Sequence, residues 1–523
     1  MKKIFTLFSA MLMSIASFAT TYNGTLTVTV NGEVSEQPTS VSIDEVNGNY
    51  KLSINNFMLV AGETPLPVGN IVIDHVPGAV NGGLTTLCTN QEIQILAGNV
   101  EGIAEEDWLG PLLGTVPVEM NARFTGEGYV VTDIHINMVE LGQVIDVKFE
   151  NVGTHFQMPN SDFETWSDKN KAPKHWHGFE SVKGKFSSTA NKGVKLRSSS
   201  NVRPGSTGKT SAVVTCTKVL TVIANGTMTN GRLAAGSMSA KDPANHSETK
   251  LSSSDVDANG DPFATPMYAK PDSVKFWMRF TQAKAQASHP NAAFNAVITD
   301  GTYYQDPENK TYTNKVAVAA PNKADMTVGD WRLVSCPFDY ASYAANGAEA
   351  KAILLTVSTN ATPGKGSYSN GVADSVYVDD LEFVYLADIK SVSFKGATLD
   401  LTNTDIDIAD DDVISASDFV VEKIGEDAKV TTLVEANAKG YQAVISVVSG
   451  DLNTQKTLVF NFNKPVWADG DVNHDGVVDL ADVTLLINKV LGADATQLYN
   501  PDVNADGNVD VADVTTLVSL ILG

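Results

Sequence analysis

Two runs near the C-terminus, DVNHDGVVDLADV (471–483) and DVNADGNVDVADV (502–514), repeat the same order of acids around the same glycine, offset by thirty-one residues. Aligned over twenty-two positions, 471–492 and 502–523 are identical at fourteen. Repetition that faithful marks one structural unit used twice. The surrounding segment, 469–523, holds ten Asp, no Glu and one Lys. Acid so concentrated and so regularly spaced calls for a cation.

A twelve-residue calcium loop places oxygen donors at positions 1, 3, 5, 7, 9 and 12, with Gly at 6 for the sharp turn. The first run supplies Asp471, Asn473, Asp475, the Val477 carbonyl, Asp479 and Asp482 around Gly476. The second supplies Asp502, Asn504, Asp506, the Asn508 carbonyl, Asp510 and Asp513 around Gly507. Both series are complete, which predicts two calcium ions. Four carboxylates in one loop repel strongly unless a divalent ion lies between them. Asp at position 12 is shorter than Glu, so the following helix must begin closer to the ion. Val483, Leu486, Ile487, Val490 and Leu491 recur at helical spacing after the first loop. Val514, Leu517, Val518, Ile521 and Leu522 do so after the second, and the two stripes should pack on one another. No strong helix precedes either loop, so each unit is half an EF-hand.

Asp-x-Asn-x-Asp-Gly-x-x-Asp-x-x-Asp in tandem 22-residue repeats resembles a type I dockerin. The resemblance covers 469–523 and implies an all-α, calcium-binding module that docks onto a cohesin on another protein, usually in polysaccharide degradation. In that family loop positions 10 and 11 help choose the partner and are often Ser-Thr. Here they are Leu480-Ala481 and Val511-Ala512.

The other end of the chain bears on compartment. Residues 1–19 open with Lys2 and Lys3, continue through an apolar run and end in Ser17-Phe18-Ala19, the pattern of a secretory signal peptide. The run is too short to favour a transmembrane anchor. No cysteine follows it before Cys88, so lipid attachment there is not indicated. No later apolar stretch is long enough to span a bilayer. The expectation is a secreted or cell-surface protein beginning at Thr20. A net charge of -24 argues against nucleic acid and anionic membrane as partners. Cys88, Cys216 and Cys336 are too few and too scattered for a disulfide framework, so cores or metals must hold the domains together.

Residues 20–152 alternate apolar and polar at period two, with Asn47-Gly48 as a tight hairpin turn and Gly126-Glu127-Gly128 as another break. About eight such segments predict a closed meander barrel, and the section is similar to the calycin-like β-barrel domains of secreted bacterial proteins. Residues 158–386 read as many short strands joined by Gly, Asn and Pro loops, a two-sheet jelly roll. Its strand DSVYVDDLEFVY buries Val376, Val378, Leu381 and Phe383 together only if the register shifts at Asp379-Asp380, which predicts a bulge. The opening Asn-x-x-Phe-Glu-x-Trp, Trp176 and the Thr-rich strand before 233–236 resemble the family called "putative carbohydrate metabolism domain". That resemblance implies a fold like carbohydrate-binding modules and an association with glycans, and supplies no catalytic residues. Residues 387–465 read as a small immunoglobulin-like sandwich, with the acid run 405–412 as a solvated loop. The fold class is mainly β and multidomain, ending in the small helical module.

Other constellations are weaker. DVDANGD at 255–261 fills calcium positions 1, 3, 5 and 6, but position 12 is Pro266 and no helix follows, so it reads as a polar loop. GSTGKT at 205–210 ends like a phosphate loop, yet Arg203 replaces the first glycine. His175 and His177 could share a strand face as a zinc pair, but lack a third ligand and read as loop or surface histidines. Trp166, Trp176, Trp277 and Trp331 could stack on sugars, though large aromatics in strands are more often core. Gly-x-Ser-x-Gly and His-Glu-x-x-His are absent. The favoured expectation is a non-catalytic component that binds an oligosaccharide or polysaccharide and docks through calcium. The alternative is a glycoside hydrolase with its active site in the jelly roll, catalytic residues unknown.

Overall fold

The computed structural model describes residues 20–60, 65–139, 142–169, 171–192, 196–219, 222–493 and 498–523. The leader expected over 1–19 lies outside them. The chain divides into two compact units: Met1–Ser391 with Val421–Thr431 and Ile445–Thr457, and Val392–Val420 with Thr432–Val444 and Leu458–Gly523.

In the first unit nine antiparallel strands come first: β1 (Thr20–Val30), β2 (Glu33–Val46), β3 (Asn49–Leu59), β4 (Leu66–Val76), β5 (Gly78–Asn81), β6 (Leu84–Gln94), β7 (Thr115–Thr125), β8 (Val130–Met138) and β9 (Gln143–Glu150). The order β4-β3-β2-β1-β9-β8-β7-β6-β5 pairs the first strand with the last, setting Leu26 opposite Phe149. The seam is drawn together where Asn70 of β4 and Leu96, just past β6, exchange N–H···O bonds of 2.7 and 3.1 Å. The barrel is a meander as expected, with one short strand more and a seam instead of full closure. Alternation turns Tyr22, Leu26, Val41, Leu52, Ile73, Val118 and Phe149 inward, where they form its packed core. At the β2–β3 turn Asn47 (φ +53°) and Gly48 (φ +82°) are both left-handed, the conformation a two-residue I′ hairpin requires.

Arg123 on β7 is 2% exposed and points outward from that core. Its guanidinium donates to Asp133 at 2.5 Å and to the carbonyls of Leu452 and Asn453 at 2.5 and 3.2 Å. A buried guanidinium needs such partners, since an unpaired charge out of water costs several kcal/mol, on the order of 3–5.

Residues 158–386 form a two-sheet sandwich. One sheet runs Leu196–Ser199, Ser211–Thr215, Ser375–Val384, Ser273–Thr281, Gly329–Pro337. The other runs Thr227–Thr229, Ala352–Ser358, Ala293–Thr299, Lys315–Ala319, with Thr265–Pro266 also on Ala352–Ser358. Phe276 of the first stacks on Phe294 of the second at 4.1 Å between ring centroids, within one shared core. Val376, Val378, Leu381 and Phe383 are all buried. The register against Ser273–Thr281 shifts between Lys275–Glu382 and Trp277–Asp379, and Asp380 takes φ +42°. That is the predicted bulge, and without it Leu381 and Phe383 would face solvent.

The section 387–465 has seven strands in a three- and a four-stranded sheet. Its acid run is not wholly a loop: Asp405–Asp407 pairs in parallel with Asn461–Asn463, and only the residues after it are irregular. Alternation inside the run allows this, because Ile406 sits between acids that face outward on an edge strand.

Two helices, Leu480–Val490 and Val511–Leu522, end the chain. Val483, Leu486 and Leu517 form their small core, with Val478, Val503 and Val514 packed against it. The expected stripes are only partly buried. Ile487, Leu491, Val518, Ile521 and Leu522 are exposed, because two three-turn helices in one crossing can cover only one edge of each other's apolar face.

Candidate metal centres

Each C-terminal loop is a cage of carboxylates closed on its own backbone. Asp471 is buried, and its two oxygens accept the N–H groups of Asp475 (3.2 Å) and Gly476 (3.0 Å). Asn473 Oδ1 accepts from Asp475 (2.8 Å), and Asp475 Oδ1 from Val477 (3.0 Å). Asp482, fully buried, accepts from Asn473 (3.1 Å) and Asp479 (2.9 Å). The second loop repeats every bond. Asp502 accepts from Asp506 (3.1 Å) and Gly507 (2.8 Å), Asn504 from Asp506 (2.9 Å), and Asp506 from Asn508 (2.9 Å). Asp513 accepts from Asn504 (3.2 Å) and Asp510 (2.8 Å).

Local conformation makes this possible. His474 and Ala505 sit at φ +57°, and Gly476 and Gly507 at +91° and +90°, so position 6 needs glycine in both loops. Asp479 and Asp510 cap the helices by accepting from Ala481 and Ala512, each at 2.7 Å, and Asp482 and Asp513 complete the capping boxes. The N–H of Asp510 chiefly, with those of Asn504 and Val503, holds the Asp513 carboxyl below the usual carboxylate range.

Among the described residues no three His, Cys, Asp or Glu side chains converge to metal-holding distance; in these loops each acid is drawn onto backbone N–H groups. The donor set nonetheless fits calcium. It is all oxygen, mixes carboxylate, amide and carbonyl, and buries three acids (Asp471, Asp482 and Asp513) with no Lys or Arg paired to any of them among the described ion pairs. His474, at position 4 of the first loop, is stacked between Trp467 (4.4 Å) and Tyr499 (3.9 Å). That stack ties the first loop to the segments just before each repeat, and nothing in the spacing of the three residues announces it.

The remaining sequence candidates resolve differently. His177 is fully buried, not a surface residue, and His175 lies in a turn at φ +65°, so they share no strand face. Each instead faces the 255–261 loop: His177 Nδ1 is 3.7 Å from Asp257 and His175 Nδ1 3.6 Å from Asp261. Asp257 Oδ1 in turn accepts the N–H groups of Asn259 and Asp261, which folds that loop on itself. In GSTGKT the N–H groups of Lys209 and Thr210 both go to Glu164 at 2.9 Å, so a carboxylate of the chain already sits where a phosphate would. Trp176 is fully buried, and Trp166, Trp277 and Trp331 are half-buried, with Arg203 over Trp277 and Tyr377 against Trp331. Cys88, Cys216 and Cys336 are all unpaired.

A β-barrel at one end and twin oxygen-donor loop–helix units at the other define a multimodular, mainly β protein that ends in a small helical module. The family comparisons give both ends a name. Residues 469–522 match the Dockerin type I domain and residues 18–152 the Calycin-like beta-barrel domain. A type I dockerin binds calcium and docks to a cohesin partner in a multimodular extracellular assembly. No curated protein matches the chain. One solved structure, titled a "putative outer membrane protein" from Bacteroides fragilis NCTC 9343, aligns at 7% identity over 65% of this chain and 96% of that one. Its TM-score is 0.17, which says nothing about fold or function. No helix among the described residues is long and apolar enough to cross a membrane.

Proposed function

We propose that this chain is an exported component that holds two calcium ions, one in each C-terminal loop, docks through them to a cohesin, and presents a central sandwich that binds a glycan without cleaving it. The observation that carries the docking half is the bond-for-bond identity of the two loops. Each offers the same six donors, so an ion accepted by one is accepted by the other. The helices leave Leu480 and Val511, at loop position 10, 74% and 66% exposed. An apolar contact there in place of the usual Ser-Thr pair selects a cohesin with an apolar counterpart.

The glycan half rests on the resemblance of 158–386 to carbohydrate-associated domains and on a cavity of about 350 Å³ in that section. Asp306 is the one carboxyl among the described residues around it. Glycosidic hydrolysis uses a pair, roughly 5–10 Å apart, so this cavity favours binding over cleavage. A glycan array with product analysis, run beside a cohesin panel in calcium and in chelator, tests both halves. Sugar release at enzymatic rates would replace the glycan half with a hydrolase. Cohesin capture that survives chelation would refute the docking half.

A further inference from the structure

Strand alternation builds that cavity. In Ala352–Ser358, Ile353, Leu355 and Val357 enter the core while Thr356 and Ser358 face the other way. In Ala293–Thr299, Phe294, Ala296 and Ile298 enter the core while Ala293 and Asn295 face the cavity. Over this outer face lie Phe179, Phe186 and the strand Arg232–Ala235, leaving a concave space with aromatic and alanine walls.

Three of its polar atoms lack a partner among the described residues. Asn225 Oδ1, Thr356 Oγ1 and Asn360 Oδ1 are buried and take no hydrogen bond from any described residue. Asn360 is 2% exposed. The orientation of Asn225 is fixed, because its Nδ2 donates to the Asn360 carbonyl (2.9 Å) and to Ser358 Oγ (3.3 Å). Turning the amide over would set two oxygens face to face. Asn360 Nδ2 likewise faces Asp374 at 3.5 Å. Both amide oxygens are therefore acceptors with no donor among the described residues, on side chains that line the cavity. Asp306 adds a third acceptor, held by Asn295 Nδ2 at 3.0 Å. Burial, opposed by that bond, raises its carboxyl above the usual range, which weakens its demand for a cation.

We propose that this cavity binds the neutral end of a saccharide, its hydroxyls bonding to Asn225, Thr356, Asn360 and Asp306 and its C–H face lying on Phe179 and Phe186. This rests on the glycan half of the function proposed above and assigns it a place. A volume near 350 Å³ lies at the low end of the ~300–1,000 Å³ range of small-molecule pockets, which suits a short saccharide end and not a long stretch of polymer.

The test uses the full chain, calorimetry against neutral mono- and disaccharides selected on the array, and two variants. Thr356→Val deletes a hydroxyl that no described residue uses, so the melting temperature should hold while affinity falls about three- to tenfold. Ala361→Trp fills the cavity from an exposed position and should abolish binding with the fold intact. Wild-type affinity in both variants would overturn the cavity and leave the glycan reading standing. Silence of the wild-type chain across the array would overturn both. Binding of amines or acidic sugars in preference to neutral ones would overturn the ligand class.

Discussion

Asp482 Oδ1 accepts the backbone N–H of Asn473 at 3.1 Å, so the last acid of the loop fixes the position of the third residue. Asp513 does the same for Asn504 at 3.2 Å. The residue that completes the capping box and the one that shapes the loop are thereby the same residue. Asp482→Ala should remove both the capping box and a calcium ligand, lowering the stoichiometry from two ions to one by calorimetry. Asp513→Ala should do the same in the other loop, and the two variants should leave the β sections at wild-type melting temperature.

Docking should depend on side chains that take no part in the cage. Leu480 and Val511 are exposed and belong to neither calcium set. The double variant Leu480→Asp with Val511→Asp should keep two calcium ions and lose cohesin binding by at least a hundredfold, an amount of about 2.7 kcal/mol typical of central apolar anchors. Surface plasmon resonance against the cohesin panel reads this directly.

Arg123 is the most consequential buried charge in the barrel section. Arg123→Met keeps its volume and leaves the carbonyls of Leu452 and Asn453 without their donor. Asp133 is half exposed, so its lost ion pair matters less than those carbonyls. A loss of about 2–4 kcal/mol is expected, seen as a lowered first transition in scanning calorimetry.

Glu248 gives a pH signature. Burial pushes its carboxyl up, but hydrogen bonds from His246, Lys183 and Tyr303 and the Lys183 charge prevail and hold it at about 2, below the ordinary 4.5. A depressed carboxyl means that the unfolded chain binds more protons between those values. Its stabilisation is complete above pH 4.5 and is lost as pH falls toward 2, at most about 3 kcal/mol. The melting temperature of wild type should therefore drop across that window more steeply than that of Glu248→Gln.

Legibility in the sequence followed the range of the physics. Asn47-Gly48 and the Asp379-Asp380 bulge were readable because turn chemistry and period-two burial act between neighbours. All twelve proposed donor positions lie within two short runs, so spacing alone was enough to propose them. The acid run at 405–412 misled because charge density outweighed the alternation of Asp405, Ile406 and Asp407 that makes its first three residues an edge strand. His177 looked like a surface residue because its burial comes from the distant 255–261 loop. The cavity escaped entirely: Asn225, Asn295, Asp306 and the Thr356–Asn360 stretch come from four separated segments and carry no local pattern. The Trp467–His474–Tyr499 stack is invisible for the same reason.

The central claim is that calcium binding and folding of the C-terminal repeats are one event. Among the described residues of 469–523 only four apolar side chains are buried, Val472, Val483, Leu486 and Leu517, with three more packed against the last three, too little for a segment of this size to hold without a staple. It contains no cysteine, which leaves metal. Far-ultraviolet circular dichroism of the isolated segment, titrated with calcium after chelation, tests this most directly. The account predicts little helix in excess chelator and a cooperative gain that saturates at two ions per chain. Full helicity in chelator, or no change on adding calcium, would contradict it.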